Sequence, residues 1–339
     1  MSRSRIIIED KIPPIRGVFD AAADVEYLPS SEITREVLQS ADAVITRTRP
    51  YLGENLLAGS KLRIIATATI GTDHIDTEYC RRNNIKVVNA PGCNAPAVAQ
   101  YVLCSILHLH PQDYSRKTIA VVGVGHVGSL VAEGANALGL DVLLVDPFKA
   151  PERPDLRWVS LDEAAAKADI VTFHTPLTAE GPHPTFHIAS NRFFRHLKPG
   201  ATIINSARGG VVDENALLDA RSKGIVSRIA IDCWEGEPTL NRALLANADI
   251  ATPHIAGYSL QGKIRATNAI LRALSQTFAT PLRSVQLPPF LPINRFSSLL
   301  DTYNPAHSDT LALKNSPQDF ELLRNRYPLR IEPAINPTT

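Results

Sequence analysis

Three stretches of the sequence end in side chains that could act on a small acid. Each follows an apolar run typical of a β-strand, and the side chains are Arg208 in NSARGG, the acids of DCWEGEP and His254 in TPHIAGY. A guanidinium grips a carboxylate through two parallel hydrogen bonds. An imidazole with a carboxylate on one nitrogen can take or give a proton through the other. Together these residues predict proton transfer at a carbon–oxygen bond beside a carboxylate.

Taken one at a time, the same residues have plainer interpretations. Arg208 alone could be a surface arginine, and His254 alone could be a hydrogen-bonded core residue. Asp232, Glu235 and Glu237 could be solvated loop charges. The catalytic interpretation is favoured because all of them follow predicted strands, and the carboxyl ends of parallel strands meet at one edge of a sheet.

A glycine-rich turn in IAVVGVGHVGSLVAEG predicts, in addition, that the protein binds a nucleotide. Gly123, Gly125 and Gly128 form a GxGxxG pattern between an apolar strand and an alanine-rich helix. Such glycines allow a tight turn, close approach of a diphosphate and close packing of helix on strand. Asp146 ends the next apolar run, where an acid bonds the adenosine ribose and disfavours NADP, although Lys149 lies nearby. The predicted cofactor is NAD, and the predicted loop comprises Gly123, Gly125, His126, Val127 and Gly128.

The elements that must position these residues alternate between short strands and longer helices. One strand–helix series occupies about residues 1–92, and a second begins at TIAVVGVGHVG. The pattern predicts two Rossmann-like or flavodoxin-like parallel-sheet α/β domains with a cleft between them. The predicted substrate-binding domain comprises 1–93 and 255–280, and the NAD-binding domain comprises 94–254. A proline-rich tail, 281–339, is predicted to be a short dimerisation extension.

The composition narrows the class of protein. Of 339 residues, 44 % are apolar and 20 % charged, and the net charge of +1 gives no support to a nucleic-acid partner. The scattered cysteines predict reduced, mostly buried thiols, so no metal site is expected; they are Cys80, Cys93, Cys104 and Cys233. The amino-terminal residues lack a signal-peptide pattern, and no apolar run approaches the roughly 20 residues that span a bilayer. We therefore expect a cytoplasmic protein with no membrane partner.

The chain resembles the D-isomer-specific 2-hydroxyacid dehydrogenases along nearly its whole length. The glycine loop and the motifs NSARGGVVDENALL, DCWEGEP and PHIAGYSLQGK carry the resemblance. It implies a homodimeric, NAD-dependent oxidoreductase. The motifs GTDHID, HTPLTAEGPHPT and HIAGYSLQGK resemble a narrower branch, which implies a phosphorylated 2-hydroxy acid as substrate.

The resemblance also implies a role for individual residues. It makes Arg208, Glu237 and His254 the catalytic trio. It implies cofactor contacts at five further positions, which are Asp146, Thr175, Ser206, Asp232 and Gly257. It implies substrate contacts at Thr48, Thr69 and Tyr258.

Two alternatives and two departures accompany this interpretation. The chain could act on another D-2-hydroxy acid, such as 3-phosphoglycerate, glycerate or lactate, or it could be an NAD-sensing binding protein like the related corepressors. Gln100 stands where relatives often carry an acid, and the tail is shorter than the usual dimerisation extension. Several basic residues are candidates for binding the substrate phosphate, namely Arg47, Arg49, Lys263, Arg324, Arg326 and Arg330.

Overall fold

The computed structural model describes residues 3–12, 15–19, 23–280 and 282–334. The chain divides into two compact units, the first formed by Met1–Asn94 with Leu260–Pro289 and the second by Ala95–Ser259 with Phe290–Thr339. Each unit contains one parallel sheet flanked by helices. The predicted pair of parallel-sheet α/β units is therefore confirmed.

The first unit is built on five strands, each paired in parallel with its neighbours in the order β2-β1-β3-β4-β5. They are β1 (Arg5–Glu9), β2 (Asp24–Leu28), β3 (Ala43–Thr46), β4 (Ile64–Thr67) and β5 (Lys86–Val88). The central strands are short runs of Ile, Val and Ala that are buried throughout. Burial on both faces is typical of parallel strands covered by helices on each side.

Helices cover both faces of this first sheet. They are α1 (Arg35–Gln39), α2 (Glu54–Leu57), α3 (Thr77–Arg82) and α10 (Leu260–Phe278). Leu38, Leu57 and Tyr79 pack in the core on one face, and Ile270 and Leu274 of α10 pack in the core on the other. The chain thus returns to its first unit through α10, late in the sequence.

The second unit contains six parallel strands in the order β11-β10-β9-β8-β6-β7. They are β6 (Thr118–Val122), β7 (Asp141–Val145), β8 (Ile170–Phe173), β9 (Ala201–Asn205), β10 (Val226–Ile231) and β11 (Ile250–Ala251). A single parallel bridge from Leu144 to Trp158 extends the β7 edge. The strand order reverses between β6 and β8, and such a switch point leaves a crevice at the carboxyl ends of the strands.

The helices of the second unit surround this sheet. They are α4 (Ala95–Leu109), α5 (His126–Ala137), α6 (Leu161–Lys167), α7 (Asn191–Arg195), α8 (Glu214–Ser222), α9 (Arg242–Asn247), α11 (Leu299–Thr302), α12 (Ser308–Asn315) and α13 (Phe320–Asn325). Nearly every side chain of α4 is buried, and Gly134 of α5 allows close packing against Leu103. None of the helices in the described ranges is long and apolar enough to cross a membrane.

Apart from a shift of one residue at Asn94, the unit boundaries differ from the predicted domain limits at two places. Residues 255–259 stay with the second unit because the Asp232 carboxylate accepts hydrogen bonds from the backbone N–H groups of Ile255 and Ala256. The tail from Phe290 onward is also part of the second unit, where Leu299 and Phe320 are fully buried. These contacts join segments that are distant in sequence, and a strand–helix pattern does not reveal them.

A buried histidine and a half-buried one are expected to make folding sensitive to acid. The pKa of His110 is lowered to about 4, chiefly by burial, and its Nε2 lies 2.9 Å from Thr202 Oγ1. The pKa of His174 is lowered to about 3, also by burial. Since both imidazoles are favoured in the neutral form when folded, their contribution to stability is present above pH 6.5 and is lost as the pH falls toward 4 for His110 and toward 3 for His174.

We predict that His110→Gln weakens this pH dependence. Lowering the pH from 7 to 5 should cost the wild-type protein about 2 kcal/mol at His110 alone, and the variant should not show that loss. Urea denaturation across this pH range measures the effect, with exposed His183→Gln as the control. An unchanged pH slope in His110→Gln would show that His110 remains accessible to protons in the native state.

Candidate active site

The carboxyl edge of the second sheet collects most of the residues that the sequence singled out. The glycine loop follows β6, Asp146 follows β7, and Thr175 follows β8. Ser206 and Arg208 follow β9, Asp232 follows β10, and His254 follows β11, which completes the set. Because all six strands are parallel, the same edge presents every one of these loops.

Each glycine of the loop after β6 has its own reason to lack a side chain. Gly123 has φ +88°, a left-handed conformation that favours glycine. A Cβ on Gly128 would lie 1.9 Å from the carbonyl oxygen of Gly123, so a side chain there is sterically excluded. A Cβ on Gly125 would meet no protein atom within 4 Å. The first and third glycines are therefore required by the fold, whereas the second borders open space at the start of α5.

Asp146 is tied to this glycine loop. Its Oδ2 accepts a hydrogen bond from the backbone N–H of Val124 at 2.9 Å, and its Oδ1 accepts from the N–H groups of Phe148 and Lys149. The ammonium group of Lys149 pairs with Glu152 at 2.6 Å. The nearby lysine therefore does not neutralise Asp146 directly, and an acidic side chain remains beside the loop.

Two hydroxyl groups on the same edge are buried. Within the part of the chain that the structure describes, Thr175 Oγ1 and Ser206 Oγ have no hydrogen-bond partner. An unsatisfied buried hydroxyl is costly, and a bound ligand can supply the missing partner. These two atoms, the open side of Gly125 and the N-terminus of α5 together fit a nucleotide with a diphosphate.

His254 and Glu237 form a hydrogen-bonded pair. His254 Nδ1 lies 2.9 Å from Glu237 Oε2, and Glu237 Oε1 accepts a hydrogen bond from the N–H of Trp234 at 2.8 Å. Burial alone would raise the pKa of the Glu237 carboxyl, but the bond and charge of His254 outweigh it, aided by Trp234 and by the charge of Arg324, so the pKa is lowered. The second nitrogen, Nε2, has no hydrogen-bond partner among the described residues. An ionised carboxylate on Nδ1 leaves Nε2 as the nitrogen for proton transfer.

The backbone at His254 has φ +56°, which is rare for a residue with a side chain. Its N–H donates to the carbonyl oxygens of Asp232 and Thr252 at 2.9 and 3.1 Å. The Asp232 carboxylate accepts hydrogen bonds from the hydroxyl of Thr252 and from the N–H groups of Ile255 and Ala256. Strained backbone persists only where its surroundings fix it, and these bonds provide that constraint.

Arg208 is placed by the residues around it. A Cβ on Gly209 would lie 1.9 Å from the carbonyl oxygen of Trp234, so this glycine lets the Arg208 loop pack against the DCWEGEP loop. The buried side chain of Asn205 donates hydrogen bonds to the carbonyl oxygens of Arg208 and Cys233. The half-buried Arg208 side chain donates to the carbonyl oxygen of Ala207 at 2.8 Å.

A buried thiol lies beside the His254–Glu237 pair. The Cys233 sulfur, a Glu237 carboxylate oxygen and a ring nitrogen of His254 lie within 4.8 Å of one another, a set that could hold a metal ion. Burial raises the pKa of the Cys233 thiol well above its usual value. Because Glu237 Oε2 already lies 2.9 Å from His254 Nδ1, we interpret the cluster as a hydrogen-bonded pair with a buried thiol beside it.

Comparison with known proteins agrees with a site that binds a nucleotide and transfers a proton. The family described as "D-isomer specific 2-hydroxyacid dehydrogenase, NAD binding domain" matches residues 101–256. A protein of Bacteroides thetaiotaomicron named erythronate-4-phosphate dehydrogenase is 45% identical over 97% of this chain and 97% of its own length. A protein of the same name from Escherichia coli is 41% identical over 91% of this chain and 82% of its own length.

The chain belongs to the D-isomer specific 2-hydroxyacid dehydrogenases. The predicted family, its NAD-dependent oxidoreductase activity and its NAD cofactor are thereby confirmed. The crystal structure of D-lactate dehydrogenase from Aquifex aeolicus, solved with NAD and lactic acid, aligns with a TM-score of 0.68 at 23% identity. That alignment covers 84% of this chain and 100% of the other, and supports the fold.

The other predicted substrate residues of this dehydrogenase lie in different places. Tyr258 belongs to the second unit, where its hydroxyl oxygen accepts a hydrogen bond from Arg324 Nε at 3.1 Å. Thr48 and Thr69 belong to the first unit, where they follow β3 and β4 at the carboxyl edge of that sheet. Thr48 is exposed, whereas the Thr69 hydroxyl lies 2.9 Å from the carbonyl oxygen of Gly71.

Sequence reasoning did not single out three residues that organise the dehydrogenase site. Asn205 joins the Arg208 loop to the Cys233 loop, and Thr252 bonds both Asp232 and the hydroxyl of Tyr101. Trp234 donates from its indole nitrogen to the carbonyl oxygen of Thr252 at 2.9 Å. Asn205 opens the NSARGG motif, and Trp234 is one of two tryptophans, so both carried a signal in the sequence.

We predict that alanine at the second glycine of the loop weakens cofactor binding, whereas alanine at the third lowers the stability of the fold. Gly125→Ala should fold normally, because the new methyl group meets no protein atom, but should weaken NADH binding about tenfold or more by blocking the diphosphate. Gly128→Ala should lower the melting temperature by several degrees because its Cβ collides with a backbone oxygen. Thermal melts and NADH fluorescence titration measure the two effects. Normal NADH affinity in a folded Gly125→Ala protein would place the diphosphate elsewhere.

Proposed function

We propose that this dehydrogenase oxidises 4-phospho-D-erythronate to 2-oxo-3-hydroxy-4-phosphobutanoate with NAD, as a step in the biosynthesis of pyridoxal 5′-phosphate (vitamin B6). The substrate is assigned from one observation, the similarity over nearly the full length to relatives named erythronate-4-phosphate dehydrogenase. The 2.9 Å contact of His254 with Glu237 supports oxidation of a hydroxyl group.

Three side chains share the work on the substrate. Arg208 binds the carboxylate and orients the neighbouring carbon. His254 removes the proton of the C2 hydroxyl through Nε2, and returns it in the reverse reaction. Glu237 fixes the orientation of the ring and stabilises the imidazolium that forms. Bound NAD supplies the acceptor for the hydride that leaves C2.

The cofactor is held by residues of the second unit. We assign the diphosphate to the loop of Gly123, Gly125, His126, Val127 and Gly128, and the adenosine ribose to Asp146. The buried hydroxyls of Thr175 and Ser206 support contacts with the cofactor, since each lacks a partner among the described residues. Asp232 and Gly257 complete the proposed contacts, although the Asp232 carboxylate is already hydrogen-bonded to the 252–256 segment.

We assign Thr48, Thr69 and Tyr258 to contacts with the substrate. The proposal includes a homodimer that uses the C-terminal region, and a cytoplasmic location. Size-exclusion chromatography with light scattering tests the dimer. These features rest on the family resemblance and on the hydroxyl groups that the three residues offer.

Initial rates of NADH formation should separate the candidate substrates. We expect kcat/KM for 4-phospho-D-erythronate to exceed that for 3-phospho-D-glycerate, D-glycerate and D-lactate by at least about 100-fold, as expected when charged groups bind the phosphate. A 2-oxo acid should be added in parallel to reoxidise cofactor that stays bound. A preference for another acid would refute the proposed substrate. Binding of a partner protein that depends on NADH, without turnover, would favour an NAD-sensing binding protein.

Two substitutions test the proton-transfer pair. His254→Ala should lower kcat by about 1,000-fold, and Glu237→Gln, which keeps a hydrogen bond but removes the charge, by about 100-fold. NADH titration should give an affinity within about twofold of the wild type in both variants. Parallel loss of NADH affinity and turnover would mean that the pair is structural.

A further inference from the structure

We propose that Arg324 forms the subsite for the substrate's phosphate group, so that the C-terminal segment of the chain sets the preference for a phosphorylated acid. This inference rests on the proposed function. It assigns a role to a residue that lies far from the family motifs in sequence, on helix α13.

Arg324 reaches the same cluster as the catalytic pair. Its Nε donates a hydrogen bond to the hydroxyl of Tyr258 at 3.1 Å, and its charge helps to lower the pKa of Glu237. The charges of Arg324 and Arg208 both act on the buried thiol of Cys233. Two guanidinium groups therefore lie in one neighbourhood of the second unit, within electrostatic range of one side chain.

The guanidinium of Arg324 has unused donors. Its side chain is only 19% exposed, and its nearest carboxylate oxygen, on Glu321, lies 3.8 Å from Nη1, beyond hydrogen-bond distance. Across the described residues, no acceptor bonds either terminal nitrogen. A guanidinium carries five N–H donors, so four remain available at a half-enclosed position. A phosphate group supplies three acceptor oxygens and negative charge, which suits a planar fork of this kind.

The other basic candidates of the second unit are less suitable. Arg330 donates from all three nitrogens, to the Gln100 side chain and to the carbonyl oxygens of Ala97, Ile255 and Ala256. Arg326 is exposed to solvent, where an ion pair contributes little. In the first unit, Arg47 is already paired with the buried Glu9 at 3.0 Å.

The arrangement fits a substrate that is anionic at both ends. Arg208 is assigned to the carboxylate, and Arg324 would take the phosphate, with Tyr258 bonded directly to Arg324. An unphosphorylated acid would leave the donors of Arg324 without their partner, which is the condition under which a polar site discriminates most strongly.

The test compares 4-phospho-D-erythronate with D-erythronate, which lacks only the phosphate. In Arg324→Met, KM for the phosphorylated acid should rise about 100-fold, whereas kcat/KM for D-erythronate should change less than about threefold. Arg324→Lys keeps the charge near Glu237 but loses the planar, two-pronged guanidinium. It should raise KM for the phosphorylated acid about tenfold. Inorganic phosphate should inhibit the wild type competitively against 4-phospho-D-erythronate and should inhibit Arg324→Met much less.

Arg326→Met is the matched control, because it removes an exposed arginine from the same segment, and it should leave both substrates unaffected. Equal losses for both substrates in Arg324→Met, or loss in Arg326→Met alone, would overturn the inference. If Arg324→Met does not fold, unchanged selectivity in Arg324→Lys overturns it. If the wild type prefers another phosphorylated acid, the proposed substrate is wrong, but the same comparison with that acid and its unphosphorylated form still decides the role of Arg324.

Discussion

The loop that follows β11 is held by two oppositely charged side chains. One accepts hydrogen bonds from the backbone N–H groups of the loop, and the other donates to its backbone carbonyl oxygens. The Asp232 carboxylate accepts from the N–H groups of Ile255 and Ala256, and Arg330 donates to the carbonyl oxygens of the same two residues. Hydrogen bonds to charged groups contribute about 1.5–3 kcal/mol each, more than neutral ones. His254 can therefore adopt a left-handed backbone conformation beside Glu237, because the residues that follow it are fixed.

The same interaction explains why the C-terminal region belongs to the second unit. Arg330 also donates to the Gln100 side chain and stacks on the ring of Tyr303 at 4.4 Å. Gln100 in turn donates to the hydroxyl of Thr302. A neutral amide can accept from Arg330 and donate to Thr302 at once, whereas a carboxylate can only accept. The departure from the family pattern at Gln100 thus matches its partners Arg330 and Thr302, and the tail helps to hold the loop that follows β11.

The sequence sufficed to predict features that are set locally. Parallel strands were recognisable from apolar runs such as IIIE and AVIT, and the glycine loop from the steric needs of Gly123 and Gly128. The placement of Arg208 and His254 at one edge of the second sheet followed because each comes after a parallel strand. Contacts between distant segments were not predictable, because no pattern links Arg324 to Tyr258 or Arg330 to Ala97 across the intervening chain. The boundary at residue 255 shifted for the same reason, since it depends on the side chain of Asp232.

The electrostatics of the site follow from partial burial. Glu237 and His254 are 20% and 28% exposed, so their interaction is less screened than at a fully exposed site, yet part of the imidazole remains accessible to solvent. Burial opposes charge on Glu237, but His254, Trp234 and Arg324 together outweigh that cost. A carboxylate that stays ionised under these conditions can stabilise a positive charge on the ring when a proton arrives. Arg324 contributes the least of the three to this balance, so the contacts of His254 and Trp234 are the main reason that Glu237 stays ionised.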